Sequence, residues 1–323
     1  MPQTTLKRIL KKILPFKLQT ALRRCVIQLK KIKTLCLIPQ LKPLKAKNSP
    51  QYIVSLTSFG KRLIDTAPFA IIALLNQSVQ PDRIILWAGY GDEKNIAGVL
   101  KKLIKKGLEI RFCTDIKSYT KLIPALEIFP HDCMITADDD IYYPKNWLEL
   151  LIQEHKKNPG KIICHRAHGI KVDKSHNILS YSKWSNRIDP DKYFSKAEGI
   201  PGHQPECIFP TGVGGILYPP KCFHKDITNR ELFLKLAPHA DDIWFWAMAV
   251  INREYFGEES PYVVIGNCLW RNLPGIDPEL QTEGNALWRY NCIQHGNDTQ
   301  LNAVIDQYPQ LREIFKKIEP LET

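Results

Sequence analysis

Short apolar runs separated by stretches of helical periodicity set the pattern over most of the chain. Tyr52–Thr57 is an unbroken, β-branched run closed by Ser58-Phe59-Gly60, which predicts a buried strand ending in a loop. Over residues 66–77 the apolar positions, among them Phe69, Ile72 and Leu75, fall at helical spacing. Pro81-Asp82 interrupts, and 83–87 predicts a second strand. An amphipathic stretch over 94–106 is stopped by Gly107, after which 108–113 extends again; a helix over 119–129 and a strand over 133–136 follow. Strands alternating with helices at this interval predict an α/β fold with a mainly parallel sheet. Ligands of such sheets bind beyond the carboxyl ends of the strands. The second half is less regular: a strand over 161–165, a loop-rich segment over 166–210, an apolar helix over 243–250 and an amphipathic helix over 299–317. The loop-rich segment carries Trp184, Tyr193 and Phe194, which suit a lid over a bound ligand.

Ahead of this body the pattern changes. Leu6, Ile9, Leu10, Ile13 and Leu14 recur at helical spacing with basic residues between them. After Pro15 the same happens with Leu18, Ala21, Leu22, Cys25, Val26, Leu29 and Ile32. Neither stretch reaches the roughly 18 apolar residues of a membrane span. Pro39, Pro43 and Pro50 mark a linker, so the expected division is an arm of residues 1–47 and a body of 48–323.

Charge sharpens that division. Of the 45 Lys and Arg residues, 13 lie in residues 1–47, where there is no acid; the other 32 face all 33 acidic residues, so the body is neutral. A neutral body argues against a broad phosphate-binding face, and no nucleic-acid partner is expected. The arm has the pattern of a basic amphipathic helix lying on an anionic membrane surface; a helix docked on its own domain with its charges solvated is the plainer alternative. Nine cysteines with no Cys-x-x-Cys spacing exclude common zinc ribbons and a fully paired disulfide framework. They point to a reducing compartment, hence a cytoplasmic protein, peripheral on the inner face of the membrane.

The fourth predicted strand runs into Asp138-Asp139-Asp140, then Ile-Tyr-Tyr-Pro144. Neighbouring carboxylates repel by several kcal/mol at short range, and a hard divalent cation such as Mg²⁺ or Mn²⁺ removes that cost. A solvated acidic turn is the competing reading; the place at the ligand end of a strand favours the metal. Asp115 and Lys121 follow the third strand at the same end, positioned for a nucleotide or for an ordinary helix start. Asp241-Asp242 opens the apolar helix, where helix capping also favours Asp.

Strand, Asp138-Asp139-Asp140 and Ile-Tyr-Tyr-Pro144 together resemble the Asp-x-Asp motif of family-2-like glycosyltransferases with the GT-A fold. The run from Ile53 through Thr57, Ser58, Phe59 and Gly60 to Arg62, and the later Asn76-Gln77-x3-Pro81-Asp82-Arg83, also resemble bacterial members. The resemblance spans most of residues 51–300. It implies a Rossmann-like, mixed but mainly parallel sheet with flanking helices, and a metal-dependent transfer of sugar from a nucleotide-sugar donor, UDP-linked, to a glycan or lipid-linked acceptor. It further implies that Thr57, Ser58 and Arg62 hold the nucleotide, and that Asp138 meets the ribose or a metal-bound water. Asp139 and Asp140 become the metal-facing pair, with Mn²⁺ or Mg²⁺ as cofactor. Gly212, Gly214 and Gly215 resemble the family's glycine-rich loop, with Trp244 packing on a sugar face; a tight turn between strands is the alternative. Asp242 takes the role of general base and Asp241 that of acceptor partner, although many relatives have Glu at the position of Asp241. His295, in Gln-His-Gly-Asn-Asp, is the candidate late histidine for metal or diphosphate. An inverting enzyme of surface polysaccharide or lipopolysaccharide assembly is the resulting expectation. A retaining transferase, a sugar nucleotidyltransferase and a non-enzymatic binding module are its rivals.

Overall fold

The computed structural model describes residues 16–45, 52–189, 208–257, 259–265, 273–277, 291 and 296–320. Its centre is a seven-stranded sheet of β1 (Tyr52–Thr57), β2 (Arg83–Gly89), β3 (Leu108–Cys113), β4 (Cys133–Thr136), β5 (Ile162–Cys164), β8 (Ile216–Tyr218) and β9 (Tyr262–Val264), in the order β3-β2-β1-β4-β8-β5-β9. β1 pairs in parallel with β2 and β4, and β2 with β3, as the alternation of strands and helices requires. β8 runs antiparallel between β4 and β5, which makes the sheet mixed and mainly parallel, with flanking helices, as expected. The register Thr136↔Ile216 sets the start of β8 beside the end of β4. The reversed strand thus delivers the turn in front of it to the edge where the parallel strands finish.

The apolar runs of the strands follow from burial on both faces. Val54, Leu56, Ile84, Leu86, Ile135 and Leu217 belong to one core, and Ile53, Ile85, Trp87, Met134, Ile162 and Ile216 to the other. The first is closed by α3 (Ala67–Leu75), which follows the short α2 (Arg62–Asp65), and by α6 (Trp147–Lys157). The second is closed by α8 (Asp241–Val250), which packs on α10 (Gly296–Gln307).

Prolines account for most departures from the expected helices. The 119–129 stretch divides into a 3₁₀ turn, Lys117–Lys121, and α5 (Ile123–Ile128), because Pro124 has no N–H and suits only a first turn. The 299–317 stretch divides at Pro309 into α10 and α11 (Gln310–Phe315). The 94–106 helix shortens to α4 (Gly98–Ile104), and the described part of 166–210 includes β6 (Ala167–Gly169) and β7 (Ile208–Pro210), an antiparallel pair. α7 (Arg230–Leu236) and α9 (Arg253–Phe256) flank α8 in sequence. In the arm, α1 (Phe16–Leu35) is a single helix lying on α3. Leu41 is buried beyond it, and the Leu44 N–H donates to the Lys106 carbonyl at 3.1 Å. Gly107, at φ +97°, lies so close to Leu44 that a Cβ there would stand 2.8 Å from the leucine Cβ. Among the described residues no helix is long and apolar enough to cross a membrane.

Candidate active site

Of the carboxylates singled out in the sequence, all but Asp115 are linked into one cluster near the carboxyl ends of β1 and β4. Ser58 ends β1 with its N–H on the Trp87 carbonyl, and its hydroxyl donates to Asp139 Oδ2 at 2.6 Å. Arg62 lies in the first turn after the Gly60 bend, and its Nε reaches the same Oδ2 at 2.9 Å while Nη2 takes Oδ1. Nη2 also pairs with Asp140 at 3.2 Å. Burial alone would weaken the proton's hold on Arg62, but Asp139 and Asp140 outweigh it and keep the guanidinium charged. Asp139 is thus saturated by a bidentate arginine and a serine. Its side chain is 7% exposed, against 16% for Asp140 and 27% for Asp138. Asp138 and Asp140 are thus the more accessible carboxylates of the motif, Asp140 sharing Arg62 with Asp139 and Asp138 facing Lys121.

Lys121 joins the acidic motif to the second pair of aspartates. Its ammonium stands 3.3 Å from Asp138 and 3.0 Å from Asp241. Its backbone carbonyl accepts the Ser55 hydroxyl at 2.6 Å, and Ser55 Oγ in turn accepts the Trp87 indole N–H at 2.9 Å, so the 3₁₀ turn is pinned to the sheet. Desolvation opposes the charge on Lys121, and the attraction of Asp138, Asp241 and Asp242 overcomes it, which raises its pKa.

Asp241 and Asp242 are the first two residues of α8, with Ala240 rather than an aspartate at the cap position. Helix capping therefore does not explain Asp242. Both its oxygens accept the Gly212 N–H, at 3.1 Å each. Burial first, and then the charge of Asp241, push its pKa up to about 7, against the opposing pull of Lys121 and the Gly212 N–H. The glycines form a 3₁₀ turn, Gly212–Gly214, that leads into β8. The Gly214 carbonyl accepts the Trp147 indole N–H at 2.7 Å, and Gly215, at φ +88°, packs against that indole. A Cβ at Gly212 would stand 2.9 Å from Asp242 Oδ1 and 3.1 Å from Lys121 Nζ. The turn is tight because two charged side chains occupy the space beside it.

Other expected residues lie apart from this cluster. The Thr57 hydroxyl donates to the Trp87 carbonyl at 3.1 Å. Asp115 is exposed and accepts the Lys117 N–H at 2.7 Å in a local turn. Trp244 does not meet a sugar face: it is fully buried, its indole N–H on the Ile227 carbonyl at 3.0 Å and its ring against Phe233 and Tyr308. His295 lies outside the described residues.

Three residues escaped the sequence reading. Phe59 and Tyr90 are 61% and 72% exposed where the adjacent strands β1 and β2 end, and Arg62 lies over the Phe59 ring at 6.0 Å. Single aromatics in loops carry no periodic signal. Arg166 precedes β6, and its backbone carbonyl accepts the Thr211 N–H at 3.1 Å. Its Nε is buried without a hydrogen-bond partner among the described residues. Burial and the nearby Arg187 lower its pKa, while Tyr181, Asp242 and Asp138 pull the other way.

Asp138 and Asp140, the two more exposed carboxylates of the motif, offer hard oxygens, the donor type of a Mg²⁺ or Mn²⁺ ion that completes its shell with water and phosphate. Among the described residues no group of three His, Cys, Asp or Glu side chains closes on one point. A two-carboxylate platform of this kind fits such an ion.

The model of the family "Glycosyl transferase family 2" matches residues 64–209, which include the acidic motif and Arg166 but stop short of Gly212 and Asp242. No curated protein matches the chain in sequence. Among solved structures, the mannosyltransferase PcManGT of Pyrobaculum calidifontis, in complex with GDP-Man and Mn²⁺, is 12% identical over 91% of this chain and 79% of its own, at a TM-score of 0.48. A CMP:2-keto-3-deoxy-manno-octonic acid synthetase complexed with CTP is also 12% identical, over 75% of this chain and 99% of its own, at 0.41. HddC of Yersinia pseudotuberculosis is 14% identical over 53% of this chain and 78% of its own, at 0.32. Residues 64–209 thus carry the pattern of the glycosyl transferase family 2, within a mainly parallel sheet that ends in the acidic motif.

Proposed function

We propose that the protein is a metal-dependent glycosyltransferase that moves a sugar from a nucleotide-sugar donor, UDP-linked, to a hydroxyl of a glycan or lipid-linked acceptor, with inversion. The observation that carries this reading is Asp242: a half-buried carboxylate with its pKa raised to about 7, held by Gly212 beside Lys121 and Asp241. A base poised near neutrality, one ion-pair link from the acidic motif, suits abstraction of a proton from an acceptor hydroxyl. In the transfer step the hydroxyl oxygen bonds to the anomeric carbon and its proton passes to Asp242. The bond from that carbon to the diphosphate oxygen breaks, and the diphosphate leaves with the electron pair.

Asp138 and Asp140 would hold the divalent cation, whose chemistry when bound is neutralisation of charge on the departing diphosphate. Asp139 serves the fold of the motif by fastening it to Arg62 and Ser58. Lys121 holds Asp138 and Asp241 at a fixed separation, and Asp241 accepts a hydrogen bond from the acceptor sugar. Arg166 offers its unpaired donor to a phosphate oxygen, and Phe59 and Tyr90 give the base two aromatic faces. The arm of residues 1–47 keeps the enzyme on the cytoplasmic side of an anionic membrane surface, where acceptors of surface polysaccharide or lipopolysaccharide are assembled.

A panel of sugar nucleotides with Mn²⁺ and Mg²⁺, scored for the phosphate product, tests the reaction. Release of a nucleoside diphosphate from one donor, lost on chelation, is the expected result. Release of pyrophosphate from a nucleoside triphosphate and a sugar phosphate would make the protein a nucleotidyltransferase instead.

A further inference from the structure

The arm helix is docked the wrong way round for a helix that merely solvates its charges. Residues spaced three and four apart share one side of a helix, and residues two apart lie on nearly opposite sides. On α1 the side formed by 27, 31 and 34 meets the body. Lys31 is buried, its ammonium 3.5 Å from Asp277 and 5.4 Å from the centre of the Phe69 ring, and Lys30 lies 4.7 Å over Tyr142. Leu35 packs beside Phe69 and Ile276. The other side carries Leu18, Leu22, Val26, Leu29 and Ile32, which are 47%, 47%, 59%, 65% and 56% exposed, with the exposed Arg23 and Lys33 beside them. A helix that hides a lysine and presents five large aliphatic residues on its other side has a face with no partner among the described residues.

The charge around that face names its occupant. Residues 1–47 hold 13 basic residues and no acid, and an apolar stripe whose charged neighbours are all cations complements an anionic lipid surface. We infer that the stripe Leu18, Leu22, Val26, Leu29 and Ile32 inserts among the acyl chains of an anionic bilayer while the opposite side of the same helix stays on the body. This rests on the reading of the arm as a membrane-surface segment and adds the face and the orientation. The orientation bears on the site. Lys31 pairs with Asp277, the neighbouring Ile276 N–H donates to the Asp140 carbonyl at 2.7 Å, and the Tyr142 N–H donates to the Pro274 carbonyl at 3.0 Å. A helix seated in the lipid is thereby joined, through residues 274–277, to the turn that carries the acidic motif.

The test is flotation of the full-length chain with vesicles of phosphatidylcholine, with and without phosphatidylglycerol. The wild type is expected to float with the anionic vesicles, and Leu22→Glu/Leu29→Glu to bind at least tenfold less, with unchanged thermal unfolding and unchanged nucleoside diphosphate release in solution. Arg23→Gln/Lys33→Gln is expected to weaken anionic binding and flatten its salt dependence. Undiminished flotation of the leucine variant would overturn the inference. So would a wild-type dimer that becomes monomeric in that variant with no vesicle binding in either, because the stripe would then join two copies. A wild type that floats with the anionic vesicles but releases no nucleoside diphosphate from any donor counts against the transferase reading alone.

Discussion

Both carboxylate oxygens of Asp242 accept the backbone N–H of Gly212, at 3.1 Å each. The two residues lie 30 apart in sequence, one in the turn before an antiparallel strand and the other in the first turn of a helix. Their contact fixes the direction in which a half-buried acid can aim.

Gly212→Ala tests that contact without touching a side chain of the site. The added Cβ would stand 2.9 Å from Asp242 Oδ1 and 3.1 Å from Lys121 Nζ, so one of the charged groups must move. A displacement near 1 Å can cost about a hundredfold in rate, and a fall in kcat of that order is expected, with donor binding kept. Steady-state kinetics beside a circular dichroism spectrum checks it; full activity in a folded variant would detach Gly212 from the aim of the base.

Asp242→Asn removes the base and is expected to lower kcat about 10²–10⁴-fold while donor affinity survives. The pH profile follows from the raised pKa of about 7: activity should climb as pH passes through that value and the carboxylate ionises. Stability runs the other way. Between the ordinary Asp range and about 7 the folded state binds a proton that the unfolded state has released, so stability falls as pH rises through this window. Asp242→Asn should therefore unfold at a higher temperature than the wild type at pH 8, and this advantage should fade towards pH 4. Melting curves across that range decide the sign.

The acidic motif separates by function. Asp139 pairs with Arg62 at a largely buried position, and removing one partner of a buried pair typically costs about 3–5 kcal/mol. Because the Arg62 side chain keeps 28% exposure, about 3 kcal/mol or somewhat less is expected for Asp139→Asn in chemical denaturation. Asp138→Asn and Asp140→Asn, at more exposed positions, should destabilise less than Asp139→Asn and abolish metal-dependent donor binding, as read by calorimetry with Mn²⁺. Equal destabilisation by all three would dissolve the distinction.

The strands and the acidic motif were legible in the sequence because a parallel strand buried on both faces must be an unbroken apolar run, and ligands gather where such runs end. β1 and β3 fall at the residues expected, and β2 extends two residues past its expected end. Helix ends were less legible: Pro124 and Pro309 divide stretches whose periodicity continues across them. Local pattern could not show which aspartate is consumed by Arg62, since a bidentate contact across 77 residues depends on the bend at Gly60. Trp244 misleads for a related reason. Beside Asp242 in sequence, it lies on the core side of α8, where its indole reaches Ile227.

Arg166 gives the sharpest separation of stability from function. A buried guanidinium N–H without an acceptor costs about 1–3 kcal/mol, and like charge from Arg187 adds to the burden. Such a group persists where a ligand completes it. Arg166→Met keeps the aliphatic stem that lines the Gly214 turn and removes the unpaired charge, so its melting temperature should equal or exceed that of the wild type. Hydrogen bonds to charged groups are worth about 1.5–3 kcal/mol, so affinity for a nucleoside diphosphate should fall more than tenfold, with Arg166→Lys in between. Calorimetric titration with UDP and with GDP, set beside thermal unfolding of the same samples, measures both. A variant that melts lower and binds as tightly as the wild type would make Arg166 a structural residue.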